Sequence, residues 1–177
     1  MIKGDSTQLT DELIAYTLGR TSPADPAQRM LDDATHTPWP LFPGPRAAEE
    51  RGRLLAFLAR LTGARRIVEV GTLAGLPPLS RAQVLPPDGT LLSCAGPDTL
   101  ETLRGLPQEP HLDLVVIGAD GDDLVASWDE LVPRTRQGGL LVVDAAAGEL
   151  PEHAAADDRV DSVPLPATAG LTLARRR

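Results

Sequence analysis

The sequence predicts a doubly wound, mostly parallel α/β sheet, preceded by amino-terminal helices and closed at one edge by an antiparallel hairpin. Three observations predict it. Four compact aliphatic runs, RRIVEV, GTLLSC, LDLVVIG and GGLLVVD, have the near-continuous apolar character of strands covered on both faces. Helical patterns fall between them at Pro78–Val84, Pro97–Arg104 and Asp122–Arg134, and strands alternating with helices wind a parallel sheet. The tail differs, because VDSVPL and GLTLARR flank PATAG as two short strands around a turn.

Taken from the amino terminus, LTDELIAYTLG reads as a helix with Thr10 as N-cap, Asp11 and Glu12 in the first turn and Gly19 after the last periodic residue. A second short helix is expected over Pro26–Ala34. Prolines 38, 40, 43 and 45 then make THTPWPLFPGP a loop, which also holds His36, Trp39 and Phe42. From Ala47 to Leu61 the residues Ala47, Leu54, Leu55, Leu58 and Leu61 recur at helical spacing, with Glu49 and Arg53 on the other face and Gly63 as the stop. The expected organisation is one domain over 1–177, with helices and a proline-rich loop in 1–45 and the α/β core in 46–177.

Composition narrows the function. A length of 177 residues suits a single domain, and 42% hydrophobic residues with only 3% aromatics require an aliphatic core. A net charge of −8, with no basic stripe beyond Arg175-Arg176-Arg177, argues against a nucleic-acid surface. Cys94 is the only cysteine, so no internal disulfide can form, and it reads as a buried small hydrophobe. Without a signal-peptide pattern or an apolar run approaching ~18 residues, the expectation is a cytoplasmic protein that does not enter membranes. In a doubly wound sheet the ligand crevice lies at the carboxyl ends of the strands, which here means residues 71–78, 94–98, 118–122 and 144–150.

LARLTGARRIVEVGTLAG, followed in order by LPPDGTLLSC, LDLVVIGAD, RQGGLLVVD and GLTLARR, resembles the class I S-adenosylmethionine-dependent O-methyltransferases of the caffeoyl-CoA and catechol type. The resemblance runs from about residue 46 to the end and implies a Rossmann-like fold. It also implies a cofactor site at Glu69, Gly71, Thr72 and Gly75, with Asp98 and Asp120 completing the set if S-adenosylmethionine is bound. Several positions depart from the family pattern. Pro77 stands where a serine commonly offers a hydroxyl and an amide, and Pro78 follows, so two donors to the cofactor carboxylate are gone. Ala95 stands where an acid holds the cofactor ribose, a loss on the order of 2–5 kcal/mol that Asp98 could offset. Between Cys94 and Leu112 there is room for one helix, so the strand that flanks the adenine pocket is expected to be missing. The metal positions read Gly118, Asp144 and Ala145, and a single carboxylate does not satisfy a hard cation, so no metal is expected. Gly121 replaces a lysine credited with deprotonating the acceptor.

These departures all fall on the ligand side. The reading they favour is a methyltransferase fold that has lost ordinary metal-dependent methyl transfer and acts on or binds a small metabolite, with Asp144, Asp120, His153 and His36 as the candidate catalytic groups. One alternative is a working, metal-independent S-adenosylmethionine-dependent O-methyltransferase of a small molecule. A second is a non-catalytic scaffold, since the resemblance also implies a homodimer formed through the amino-terminal helices.

Overall fold

The computed structural model describes residues 45–71, 85–119, 121–144, 148–165 and 170–177, with side chains from Arg51 onward. The two expected amino-terminal helices, most of the proline-rich loop, the helix expected at Pro78–Val84 and the PATAG turn lie outside the described residues. Helix α1 (Pro45–Leu61) leads into β1 (Arg66–Val70), β2 (Thr90–Cys94), α2 (Thr99–Arg104), β3 (Leu112–Ile117), α3 (Leu124–Arg134), β4 (Thr135–Asp144), α4 (Leu150–Ala156), β5 (Val160–Leu165) and β6 (Leu171–Arg176). The six strands form one sheet in the order β2-β1-β3-β4-β6-β5. The first four are parallel, β6 runs antiparallel to β4, and β5 and β6 pair antiparallel as the expected terminal hairpin. One helix and a loop are all that separate β2 from β3, as the short spacing predicts, and β2 is the sheet edge among the described residues.

Alternation along each strand sorts side chains to two faces. Ile67, Leu114, Val116, Val142 and Leu171 point to the face covered by α1, where Leu55, Leu58 and Ala59 meet them. Val68, Val70, Val115, Ile117, Leu141 and Val143 point the other way, against Leu103 of α2, Trp128, Leu131 and Val132 of α3, and Leu150 and Ala154 of α4. Both faces being buried explains why these strands read as unbroken aliphatic runs. Helix α4 was not foreseen from the sequence. Its seven residues, LPEHAAA, carry only Leu150 and Ala154 as buried anchors, too few to make a periodic signal until the sheet supplies the surface they cover.

Strand β4 starts three residues earlier than GGLLVVD suggests, directly from the end of α3. The ladder jumps there, from Leu112 opposite Thr135 to Leu114 opposite Leu140. The glycine pair accommodates this bulge: Gly138 has φ +76, and a Cβ on Gly139 would lie 2.9 Å from the Arg136 carbonyl oxygen.

Polar side chains clamp the amino ends of the strands. Asp113 of β3 accepts from the Arg65 and Arg66 amides at 2.8 and 2.9 Å and from Arg136 Nε at 2.6 Å, tying β1, β3 and β4 together. Burial pushes the Asp113 carboxyl up, but the Arg136 and backbone hydrogen bonds outweigh it and hold the group below its ordinary value. Beyond α4, Asp157 bonds Arg159 at 2.6 Å and accepts from the indole of the fully buried Trp128 at 2.8 Å, while Arg159 also reaches Asp129 at 2.9 Å. Arg159, helped by Trp128, holds the Asp157 carboxyl well below the usual carboxylate range against the effect of burial.

Replacing Asp113 by Ala removes a carboxylate from three donors. Urea denaturation should report a loss of about 2–4 kcal/mol. Asp157 sets an acid limit: its folded value lies below the unfolded ~3.9, so its stabilisation is complete above about pH 5 and drains as pH falls through the folded value. Melting temperature measured from pH 6 to 3 should drop less steeply in Asp157→Asn, which starts from a lower value at pH 6.

Candidate functional site at the carboxyl ends of the strands

The crevice floor is level because each strand end bonds to its neighbour. The Gly71 amide donates to the Cys94 carbonyl at 2.8 Å, and the Gly118 amide donates to the Val70 carbonyl at 2.8 Å. Gly71 leaves β1 at φ +74, a left-handed conformation that a side chain would strain, so this glycine is required by the turn itself. Of the tight turn that the sequence predicts, only Gly71 is among the described residues. Thr72, Gly75, Pro77 and Pro78 lie outside the described residues.

Two carboxylates point from these strands toward α1. Glu69 shares the face of Ile67, and Asp144 shares the face of Val142, by the same alternation that sorts the core. Glu69 is 1% exposed and Asp144 2%. Helix α1 answers with Arg51, itself 5% exposed, whose Nη1 lies 2.6 Å from Asp144 Oδ2. Burying the two charges together offsets the cost of taking each of them out of water. Arg51 was not singled out in the sequence, although a signal existed: it sits four residues before Leu55 and seven before Leu58, on the buried face of α1.

At the end of β2, Cys94 is buried, and burial pushes its thiol up, away from the thiolate form. Ala95 is exposed and Gly96 turns at φ +92. Asp98 follows as the N-cap residue of α2, exposed and without a side-chain capping bond, while Thr99 Oγ1 donates back to the Gly96 carbonyl at 2.8 Å. The carboxylate nearest the ribose position is thus carried on the helix start and not on the strand end.

After β3 the chain turns tightly. A Cβ on Gly121 would collide with Leu124 and stand 3.3 Å from Val70 Cγ1, and Asp123 adopts a left-handed φ of 49. A lysine at 121 would have to displace Leu124, so this exit is built around the absence of that side chain. Asp120 and His36 lie outside the described residues.

His153 lies on the other side of the sheet from Asp144. Its Nε2 is 3.3 Å from Asp129 Oδ1 of α3, and it lines an open groove of about 640 Å³ with Val125, Gly148, Glu149 and Glu152. The groove begins where β4 ends, between the starts of α3 and α4. Asp144 and His153, both candidates from the sequence, are therefore not brought together: one faces α1, the other pairs with α3. Asp129 is the partner that sequence reasoning missed, because nothing in the chain order of α3 and α4 links residues 24 apart.

Metal ligation fits this arrangement poorly. Among the described residues no three His, Cys, Asp or Glu side chains converge. Gly118, at the end of β3, offers no side-chain oxygen, and the Asp144 carboxylate already holds a guanidinium. A magnesium-like ion needs several oxygens in near-octahedral order.

A mixed sheet with its last pair antiparallel and helices packed on both faces is the Rossmann-like architecture of the methyltransferases. The S-adenosylhomocysteine-bound methyltransferase PaMTH1 of Podospora anserina superimposes on it with a TM-score of 0.74 at 16% identity, over 100% of this chain and 99% of that one. In sequence, the O-methyltransferase family model matches residues 28–97. Caffeoyl-CoA O-methyltransferase 2 of Zea mays is 26% identical, over 94% of this chain and 83% of the plant protein. Catechol O-methyltransferase of Mycobacterium tuberculosis is 29% identical, over 76% and 70%. In sequence and in fold the chain is similar to these O-methyltransferases. Its alignment with the maize protein runs over 223 positions, more than the 177 residues available, so the relative carries segments that this chain lacks.

Arg51→Met takes the guanidinium away from the buried Asp144 carboxylate and should cost about 3–5 kcal/mol of stability. Arg51→Met/Asp144→Leu removes both charges and should recover most of that loss. Denaturant midpoints of the two variants check the pair directly.

Proposed function

We propose that this protein binds or transforms a small metabolite in the crevice above β1, β3 and β4, and that it has given up metal-dependent methyl transfer. The observation that carries the reading is the edge position of β2. With one helix between β2 and β3, no strand flanks β2 among the described residues, and its carboxyl end presents Ala95 and Gly96 where the family resemblance puts a ribose-binding acid. A cofactor held there would lose a charged acceptor for two hydroxyls, equivalent to roughly 30- to several-thousand-fold in affinity. Asp98 is offset onto the start of α2 and exposed, so its bonds to a ribose would be made in water. Asp144 is engaged by Arg51 at the end of β4, and His153, with Asp129 behind it, is the described group exposed for polar contact or proton transfer, on the other face of the sheet.

A second reading is favoured by a specific observation. The Gly71 turn keeps its left-handed geometry and its bond to Cys94, which is the part of the site that approaches a methionine moiety in the resemblance. On that reading the protein is a metal-independent O-methyltransferase that binds S-adenosylmethionine through the turn, Glu69 and Asp98.

Titration calorimetry separates the two. The first reading expects no heat with S-adenosylmethionine or S-adenosylhomocysteine at millimolar ligand; micromolar binding of either supports the second. Ala95→Asp adds a check, because restoring the acid should raise S-adenosylhomocysteine affinity at least tenfold if the crevice still admits the cofactor.

A further inference from the structure

We propose that the outer edge of β2 is a pairing surface for a second copy of this chain, whose own β2 adds to it antiparallel across a two-fold axis and continues the sheet from one protomer into the next. The inference concerns assembly and stands whether or not a methyl donor binds.

The backbone defines the edge. The Thr90 amide donates to the Arg65 carbonyl, and the Cys94 carbonyl accepts from the Gly71 amide, so the backbone groups of Thr90 and Cys94 face β1. Alternation along the strand then turns the amides and carbonyls of Leu91 and Ser93 outward, where no described strand pairs with them. Ser93 is exposed and Leu91 half-buried.

The opposite edge of the sheet is guarded and this one is not. At the far edge, the Arg177 amide donates to the Arg159 carbonyl, which sets the ladder so that Pro164 of β5 lies on the outer side and offers no amide there. Strand β2 reads TLLSC, with no proline and no charged side chain, and its register against β1 has no bulge. An edge without such guards is a template for another strand.

A second copy fits because the strand is complementary to itself. With Leu92 on the axis, Leu91 exchanges both hydrogen bonds with Ser93 of the partner subunit, and Ser93 does the same with the partner's Leu91, so every outward group is satisfied. Because β2 carries no charge, the axis brings no like charges together, and Asp88, just before the strand, is already paired with Arg65. Leu92, half-buried beside the cluster that includes Leu103 of α2, meets its own copy across the axis. A five-residue edge is a small interface, so the dimer is weak and depends on concentration.

Sedimentation of the full chain from about 2 to about 500 μM should show monomer giving way to dimer as concentration rises. Ser93→Pro removes an outward amide and leaves those facing β1; it should weaken the dimer about tenfold or more at unchanged circular dichroism. Leu92→Cys/Cys94→Ser places one thiol of each copy at the axis, where paired Cα atoms lie about 4.5 Å apart, and mild oxidation should cross-link it to a dimer. Thr90→Cys/Cys94→Ser, with its thiols off the axis, should stay uncross-linked. If Ser93→Pro does not fold, the cross-linking pair decides. A monomer over the whole range overturns the inference and leaves the edge to a strand of another protein. A dimer that persists in Ser93→Pro, or that does not cross-link at Leu92, is formed by another surface such as the amino-terminal helices and overturns it as well.

Discussion

A parallel sheet of aliphatic strands has to hide both faces from water, and nearly everything else in the structure follows from how that is done. β3 is the extreme case. Leu114 and Val116 are sealed by α1, while Val115 and Ile117 are sealed by α2, α3 and α4, and all four are fully buried. Polar chemistry is thereby pushed to the strand ends. At the amino ends Asp113 gathers two amides and Arg136, and at the carboxyl ends Asp144 gathers Arg51. The two carboxylates do different work. Asp113 stitches three strands at the rim, only partly in contact with water, whereas Asp144 carries a charge into the interior and requires a second charge to follow it.

That second charge changes what the crevice can be. In a sheet of this type the carboxyl ends are where a ligand meets the protein. Here one of the carboxylates at that end is answered from within by α1. The same edge logic applies at β2. Among the described residues no strand lies outside β2, and the exposed Ala95 and the left-handed Gly96 follow its carboxyl end. The Gly71 and Gly118 amides join the ends of β1, β2 and β3 through the Cys94 and Val70 carbonyls. Conservation of fold with change of site is the ordinary way in which one architecture serves several chemistries.

On the opposite face, α3 and α4 bring together residues distant in sequence. Asp129 receives both His153 and Arg159, Arg159 also binds Asp157, and Asp157 holds the indole of Trp128. This chain of contacts fixes the relative position of α3, α4 and the approach to β5. It also gives the groove beside His153 one rigid wall.

The sequence by itself determined the strands, their parallel order and the terminal hairpin, because a period of two or an unbroken apolar run is local information that survives in the order of residues. The glycine turn at Gly71 was legible for the same reason. The short path from Cys94 to Leu112, and with it the missing edge strand, could be counted. Only the tertiary structure decided the pairings. Arg51 and Asp144 are 93 residues apart, His153 and Asp129 are 24 apart, and their meeting depends on the crossing of helices over the sheet. Helix α4 belongs to the same class, since two buried residues define a face only when another surface covers them. Charge complementarity across elements has no period, and so it becomes visible only once packing has placed the partners.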